Sequence, residues 1–237
     1  MLKTLTLSIA LFLSFQTVAM PHQEDRVEVE IKKTKSLDYL IALPEGYQKD
    51  GEPVPLLLFL HGAGERGKNL DLVKKHGPPK MIEKGHDFGA VVVSPQCPKD
   101  TWWTEHTDVL LGLIDKIEKE HNVDKDRIYV TGLSMGGYGT FALAAEAPQR
   151  FAAAVPICGG GTRMQAWKLT TLPMWVFHGD ADKVIPVEES TRMVSIINQR
   201  EGKNAKLTIY EGVGHNSWDR AYGDKAMWKW LFEQKRQ

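Results

Sequence analysis

The feature that most constrains this chain is the run Arg127-Ile128-Tyr129-Val130-Thr131-Gly132-Leu133-Ser134-Met135-Gly136-Gly137. An apolar, β-branched entry leads into Gly-x-Ser-x-Gly, and the residues that follow through Ala145 are small and helix-compatible. Ser134 is therefore expected on a sharp strand-to-helix turn that lifts its hydroxyl off a sheet edge. Gly132 and Gly136 suit such a turn because a Cβ at either place would crowd it, and Gly137 extends the allowance. Taken alone the pentapeptide is a weak signal, since a glycine-rich turn can hold a serine for no chemical reason.

The rest of the chain supplies the context. Alternation over Arg26–Ile31 and the run Leu37–Leu43 read as two early strands. Pro55–Leu60 is continuously apolar, as a strand covered on both faces should be; Ala90–Ser94, Phe151–Ile157 and Met174–Phe177 read as further strands, and Lys206–Tyr210 as the last strand. Pro156 cannot donate to a sheet ladder, so it is expected where its strand leaves the sheet. Between these runs lie helical segments: a short one near Leu70–Lys74 broken by Gly77-Pro78-Pro79, and one capped by Thr107 or Asp108 with Leu110, Leu113, Ile114 and Ile117 on its apolar stripe. Further helices run from Glu188 to about Arg200, closed by Gly202, and from Ala226 to Lys235. This alternation predicts a mostly parallel sheet with helices on both faces, and 237 residues suit one domain.

A serine hydroxyl attacks poorly until a histidine takes its proton, and the histidine needs an acid to fix its tautomer. Chains built around such an elbow place the acid after the serine and the histidine last. His215, in Gly212-Val213-Gly214-His215 after the last strand, is the expected base. The acid is Asp180 or Asp182; Asp182 is the choice, because a residue further out on the loop can turn back toward the histidine. His61 and His178 end strands and suit structural roles, and the remaining histidines show no zinc-site spacing. The loop His61-Gly62-Ala63-Gly64-Glu65-Arg66-Gly67 follows the Pro55 strand, where one oxyanion N–H should arise. That makes Ala63 and Met135 the expected donors, against the plain reading of a flexible glycine turn. Glu65 and Arg66 either touch substrate or pair with each other. This chemistry requires no metal or organic cofactor.

Thirty lysines and arginines balance thirty aspartates and glutamates, so nothing suggests a nucleic-acid partner. Lys3, the apolar run Leu5–Phe15 and the small residues Thr17 and Ala19 read as a signal peptide over residues 1–19, leaving residues 20–237 as a single catalytic domain that is secreted or periplasmic. The apolar run is too short for stable membrane insertion.

Together, Leu58–Gly67, Ser94-Pro95-Gln96-Cys97-Pro98 with Trp103, the Gly132–Gly137 elbow, Val155–Gly160, His178–Pro186 and Gly212–Trp218 resemble the small secreted α/β-hydrolases related to polyhydroxybutyrate depolymerases and to feruloyl and acetyl xylan esterases. Members are often described as predicted peptidases or as phospholipase/carboxylesterase-like. The resemblance implies an α/β-hydrolase fold, Ser134, Asp182 and His215 as a triad, and Ala63 and Met135 as oxyanion donors. It also implies a serine carboxylesterase acting on short-chain or carbohydrate-linked esters. The rivals are a serine peptidase on the same triad and a non-catalytic carbohydrate-binding homologue. The short span from Gly161 to Met174 leaves no room for a large cap domain. An open cleft would suit Trp103 and Trp218 as substrate-binding residues, with Trp102 and Trp167 also near its rim. In the usual sheet order two strands separate Cys97 from Cys158, so a disulfide would require their loops to lean together.

Overall fold

The computed structural model describes residues 26, 34–199 and 204–236. The expected leader, the strand over Arg26–Ile31 beyond Arg26 itself, and the Gly202 stop lie outside the described residues. Among the described residues seven strands are formed: β1 Tyr39–Ala42, β2 Val54–Leu60, β3 Val91–Pro95, β4 Val123–Leu133, β5 Ala153–Ile157, β6 Met174–Gly179 and β7 Ala205–Tyr210. They make one sheet in the order β1-β3-β2-β4-β5-β6-β7, in which only β1 runs antiparallel to its neighbour.

The helices are α1 Gly77–Ile82, α2 Thr107–Glu120, α3 Met135–Glu146, α4 Glu188–Asn198, α5 Ser217–Gly223 and α6 Lys225–Glu233. They divide between the two faces, and β2 shows why. Successive side chains of a strand point to opposite sides. Leu56, Leu58 and Leu60 pack in a core with Leu113 of α2, Phe141 of α3 and Ile197 of α4. Leu57 and Phe59 enter a second core with Tyr222 of α5 and with Trp228 and Leu231 of α6. An unbroken apolar run is thus what a strand with helices on both sides needs.

Three local expectations are corrected. Gly77-Pro78-Pro79 does not break a helix but starts α1, where proline's missing N–H costs nothing in the first turn. Helix α2 begins at Thr107 with His106 as its N-cap and no side-chain cap; Asp108 instead accepts from Lys35 Nζ at 2.7 Å. Pro156 lies within β5, registered against Gly132 of β4, and is buried. Ala154 and Cys158, two residues to either side, donate to Pro173 and Phe177 along the β6 edge at 3.0 and 2.8 Å. Pro156 is the skipped rung between them, so the strand keeps its place in the sheet with one bond fewer on a single side. The disulfide left open by the sequence is not formed: Cys97 and Cys158 are both buried free thiols.

Candidate active site

The turn at Ser134 is as sharp as its glycines suggested. Ser134 sits at φ 55° and ψ −117°, between the end of β4 and the start of α3. A serine in this region is strained, and the turn is held by Ser134 N–H donating to Ile157 O at 3.0 Å and Tyr138 N–H donating to Ser134 O at 3.1 Å. A Cβ on Gly136 would lie 1.9 Å from Leu60 O, and one on Gly132 would lie 2.4 Å from Gly136 O. The elbow therefore presses α3 against the sheet edge, which any side chain at these two places would prevent.

The loops after β6 and β7 open beside that elbow. Asp180 Oδ1 accepts from Gly212 N–H at 2.7 Å, which ties the two loops together and gives Asp180 a bracing role. His215 Nε2 lies 2.9 Å from Ser134 Oγ, and His215 Nδ1 lies 2.7 Å from Asp182 Oδ2. Serine, imidazole and carboxylate, distant in the chain, thus form one hydrogen-bonded line. The other carboxylate oxygen, Oδ1, accepts from Val184 and Ile185 N–H at 2.8 and 2.9 Å. Burial would raise the Asp182 carboxyl, but the bonds from His215, Ile185 and Val184 outweigh it and hold the group below the ordinary carboxylate range. Asp182 is consequently an anion wherever His215 could act as a base.

Met135 is the first residue of α3, and Ala63 is the first of a tight helical turn, Ala63–Glu65, that follows β2. An N–H at a helix start has no acceptor within the helix. Both residues line one pocket with Ser134. The loop that carries Ala63 is firmly held. Arg66 Nε donates to Ala63 O at 3.0 Å and its Nη1 donates to Thr101 O at 3.2 Å, while Gln96 Nε2 donates to Glu65 O at 2.7 Å. Glu65 pairs not with Arg66 but, weakly, with His76 at 3.9 Å. His61 is buried beneath the loop; its Nε2 accepts from Cys97 N–H at 2.9 Å, so Nδ1 donates to Gly62 O at 2.6 Å. Burial pushes its pKa down from 6.5 to about 4.

The pocket has a volume of about 450 Å³ and is lined by Ala63, Trp102, Thr104, Ser134, Met135, Tyr138, Val184 and Ile185. Trp102 is 50% exposed, with the Arg66 guanidinium 5.6 Å from the centre of its ring. Trp103, expected at the rim, is corrected: it is fully buried, its Nε1 donating to His61 O at 2.9 Å. Trp218 lies edge-on to the His215 ring with centroids 5.3 Å apart, beside that ring rather than in the pocket lining. Trp167 is exposed and does not line the pocket.

Sequence reasoning missed Tyr138, Val184 and Ile185. Tyr138 stands four residues after Ser134, one helical turn on, which brings it back to the serine's side. Val184-Ile185 is an apolar pair beside the acid's loop position, and Val184 is 68% exposed.

A model of the dienelactone hydrolase family matches residues 78–226, a span that contains Ser134, Asp182 and His215. A bifunctional acetylxylan esterase/xylanase of Neocallimastix patriciarum is 29% identical over 140 residues, which is 57% of this chain and 20% of that protein. A probable feruloyl esterase C of Aspergillus terreus is 24% identical over 177 residues, 73% of this chain and 64% of that one. The chain thus spans less than two thirds of the length of either curated relative. Among solved structures, a thermostable esterase superposes with a TM-score of 0.73 at 36% identity, covering 84% of this chain and 60% of the other. The fold is that of the α/β-hydrolases.

Proposed function

The chain belongs to the dienelactone hydrolase family, and from that membership and the Ser134–His215–Asp182 line we propose that it is a serine carboxylesterase. The observation that carries this reading is the unbroken run of hydrogen bonds at 2.9 and 2.7 Å joining the three groups. His215 Nε2 is placed to take the Ser134 proton as Oγ attacks an ester carbonyl. The developing oxyanion is met by the Ala63 and Met135 N–H groups and by the positive end of α3. His215 then protonates the departing alcohol, and a water activated by the same imidazole releases the acid from the acyl-enzyme. Asp182 holds the imidazole tautomer and stabilises its charged form throughout.

The substrates proposed are short-chain esters and acetyl- or feruloyl-type esters linked to carbohydrate. Support comes from the apolar pocket, whose exposed Trp102 offers a ring face for stacking, and from the absence of a large cap over it among the described residues. The relatives' printed activities, on acetylated xylan and feruloyl esters, point the same way. The test is hydrolysis of a series of chromogenic esters of increasing acyl length, beside acetylated and feruloylated xylan and a peptide amide. Ester cleavage that falls by roughly 10⁴-fold or more in Ser134→Ala, with the fold intact by circular dichroism, is the expected result. A Ser134→Ala chain that kept its rate, or a wild-type chain that cut only the amide, would overturn the proposal.

A further inference from the structure

Asp182 carries a second histidine that the mechanism above does not use. His178, near the end of β6, has no exposed side-chain surface; its Nε2 lies 2.9 Å from Ile185 O and 3.2 Å from Asp182 Oδ2, the oxygen that also meets His215. On the other side of the ring, Nδ1 lies 2.7 Å from Ser190 Oγ, and Ser190 Oγ donates to Gly159 O at 2.8 Å.

Counting hydrogens along this line points to one state of the ring. A serine hydroxyl has one hydrogen, and a backbone carbonyl can only accept. Ser190 gives its hydrogen to Gly159 O, so Oγ must accept from Nδ1–H. Both neighbours of Nε2, a carbonyl and a carboxylate, are acceptors, so Nε2 must donate as well. Moving the Ser190 hydrogen to Nδ1 would leave Gly159 O facing a bare oxygen at 2.8 Å. A doubly protonated ring buried this deeply requires a counter-charge, and Asp182 supplies it.

We propose that His178 is a buried imidazolium that shares the Asp182 carboxylate with His215 and acts as a positioning residue for the acid. The carboxylate then receives three N–H donors, Val184 and Ile185 on Oδ1 and His215 on Oδ2, while the His178 ring stands 3.2 Å from Oδ2 as a charge neighbour. His178 also grips Ile185 O, so one ring closes the loop 182–185 that both presents the acid and forms a pocket wall. Other titratable groups in this region are Cys158 at the end of β5, whose thiol burial pushes up to about 12, Tyr138 on α3, raised by burial, and Glu189 on α4, paired with Arg192 at 3.5 Å. None of these contacts supplies an alternative donor to Gly159 O.

The inference rests on the triad reading of the proposed function, so its test has one readout that ignores activity. In the full chain with nitrogen-15-labelled histidine, the His178 ring should show a bound hydrogen on both nitrogens at neutral pH; a bare ring nitrogen would refute the proposal whether or not the chain hydrolyses esters. In His178→Gln the cation is gone, and the acidic limb of the kcat/KM profile should move to higher pH by roughly half a unit or more. A merely structural histidine would lower kcat/KM and leave that limb in place, and such a result would refute the proposal too. Should the variant fail to fold, the wild-type spectrum decides alone.

Discussion

Single residues set the terms on which this site exists. His61 is buried as a neutral ring, with both nitrogens engaged under the loop that carries Ala63. Its unfolded form takes up a proton near pH 6.5 and its folded form only near 4, so the unfolded chain binds protons first as the pH falls. Stability should therefore decline through that window, by about 3 kcal/mol at its foot. Denaturant melts at successive pH values would show the slope, and His61→Gln should remove this residue's share of it; an unchanged slope in the variant would contradict the assignment. That Ser134, His215 and Asp182, rather than Asp180, meet in one hydrogen-bonded line was legible in the sequence, because chain order and strand ends restrict which loops can meet. Trp102 and Trp103 were not separable, since neighbouring tryptophans differ only in which way the chain turns them. The second role of His178 was equally hidden, because its partners Ser190, Gly159 and Ile185 come together only in the folded chain.

At the scale of elements, α3 is the one most narrowly matched to its surroundings. A Cβ at Gly139 would come within 2.5 Å of Trp103 Cβ and 3.0 Å of Leu60 Cδ1. Alanine would favour the helix itself by up to about 1 kcal/mol. The clash is with a Cβ that cannot swing aside, so overpacking of about 1–3 kcal/mol should prevail in Gly139→Ala. A urea midpoint at or above that of the wild type would show that Trp103 can yield. The apolar runs that became β2, β3 and β6 were readable, because a strand covered on both faces has little freedom in composition. The starts of α1 and α2 were not, because proline ends one helix and begins another, and because a backbone N–H can be satisfied without a side-chain cap.

For the whole molecule, parallel neighbours need helical crossovers between them, so the alternation of apolar runs with helical segments is why the fold class could be read before any coordinate. What the sequence could not supply is the floor of the pocket, a property of packing among elements far apart in the chain. Export is a further proposal at this scale, resting on the apolar run Leu5–Phe15 and the small residues after it. Expressed with its own leader in a host that secretes it, the recovered protein should begin near Met20 by N-terminal sequencing; a product retaining Met1 would sink the idea. No helix among the described residues is long and apolar enough to cross a membrane.

Residues 184 and 185 face two ways at once: their amides grip the acid while their side chains border the substrate space. Laboratory evolution toward new acyl groups can therefore exchange those side chains freely, since the backbone donors survive almost any replacement. Proline is the exception at either position, because it would delete a donor to the acid while leaving the wall apolar. A saturation library here should return many altered specificities and very few inactive clones.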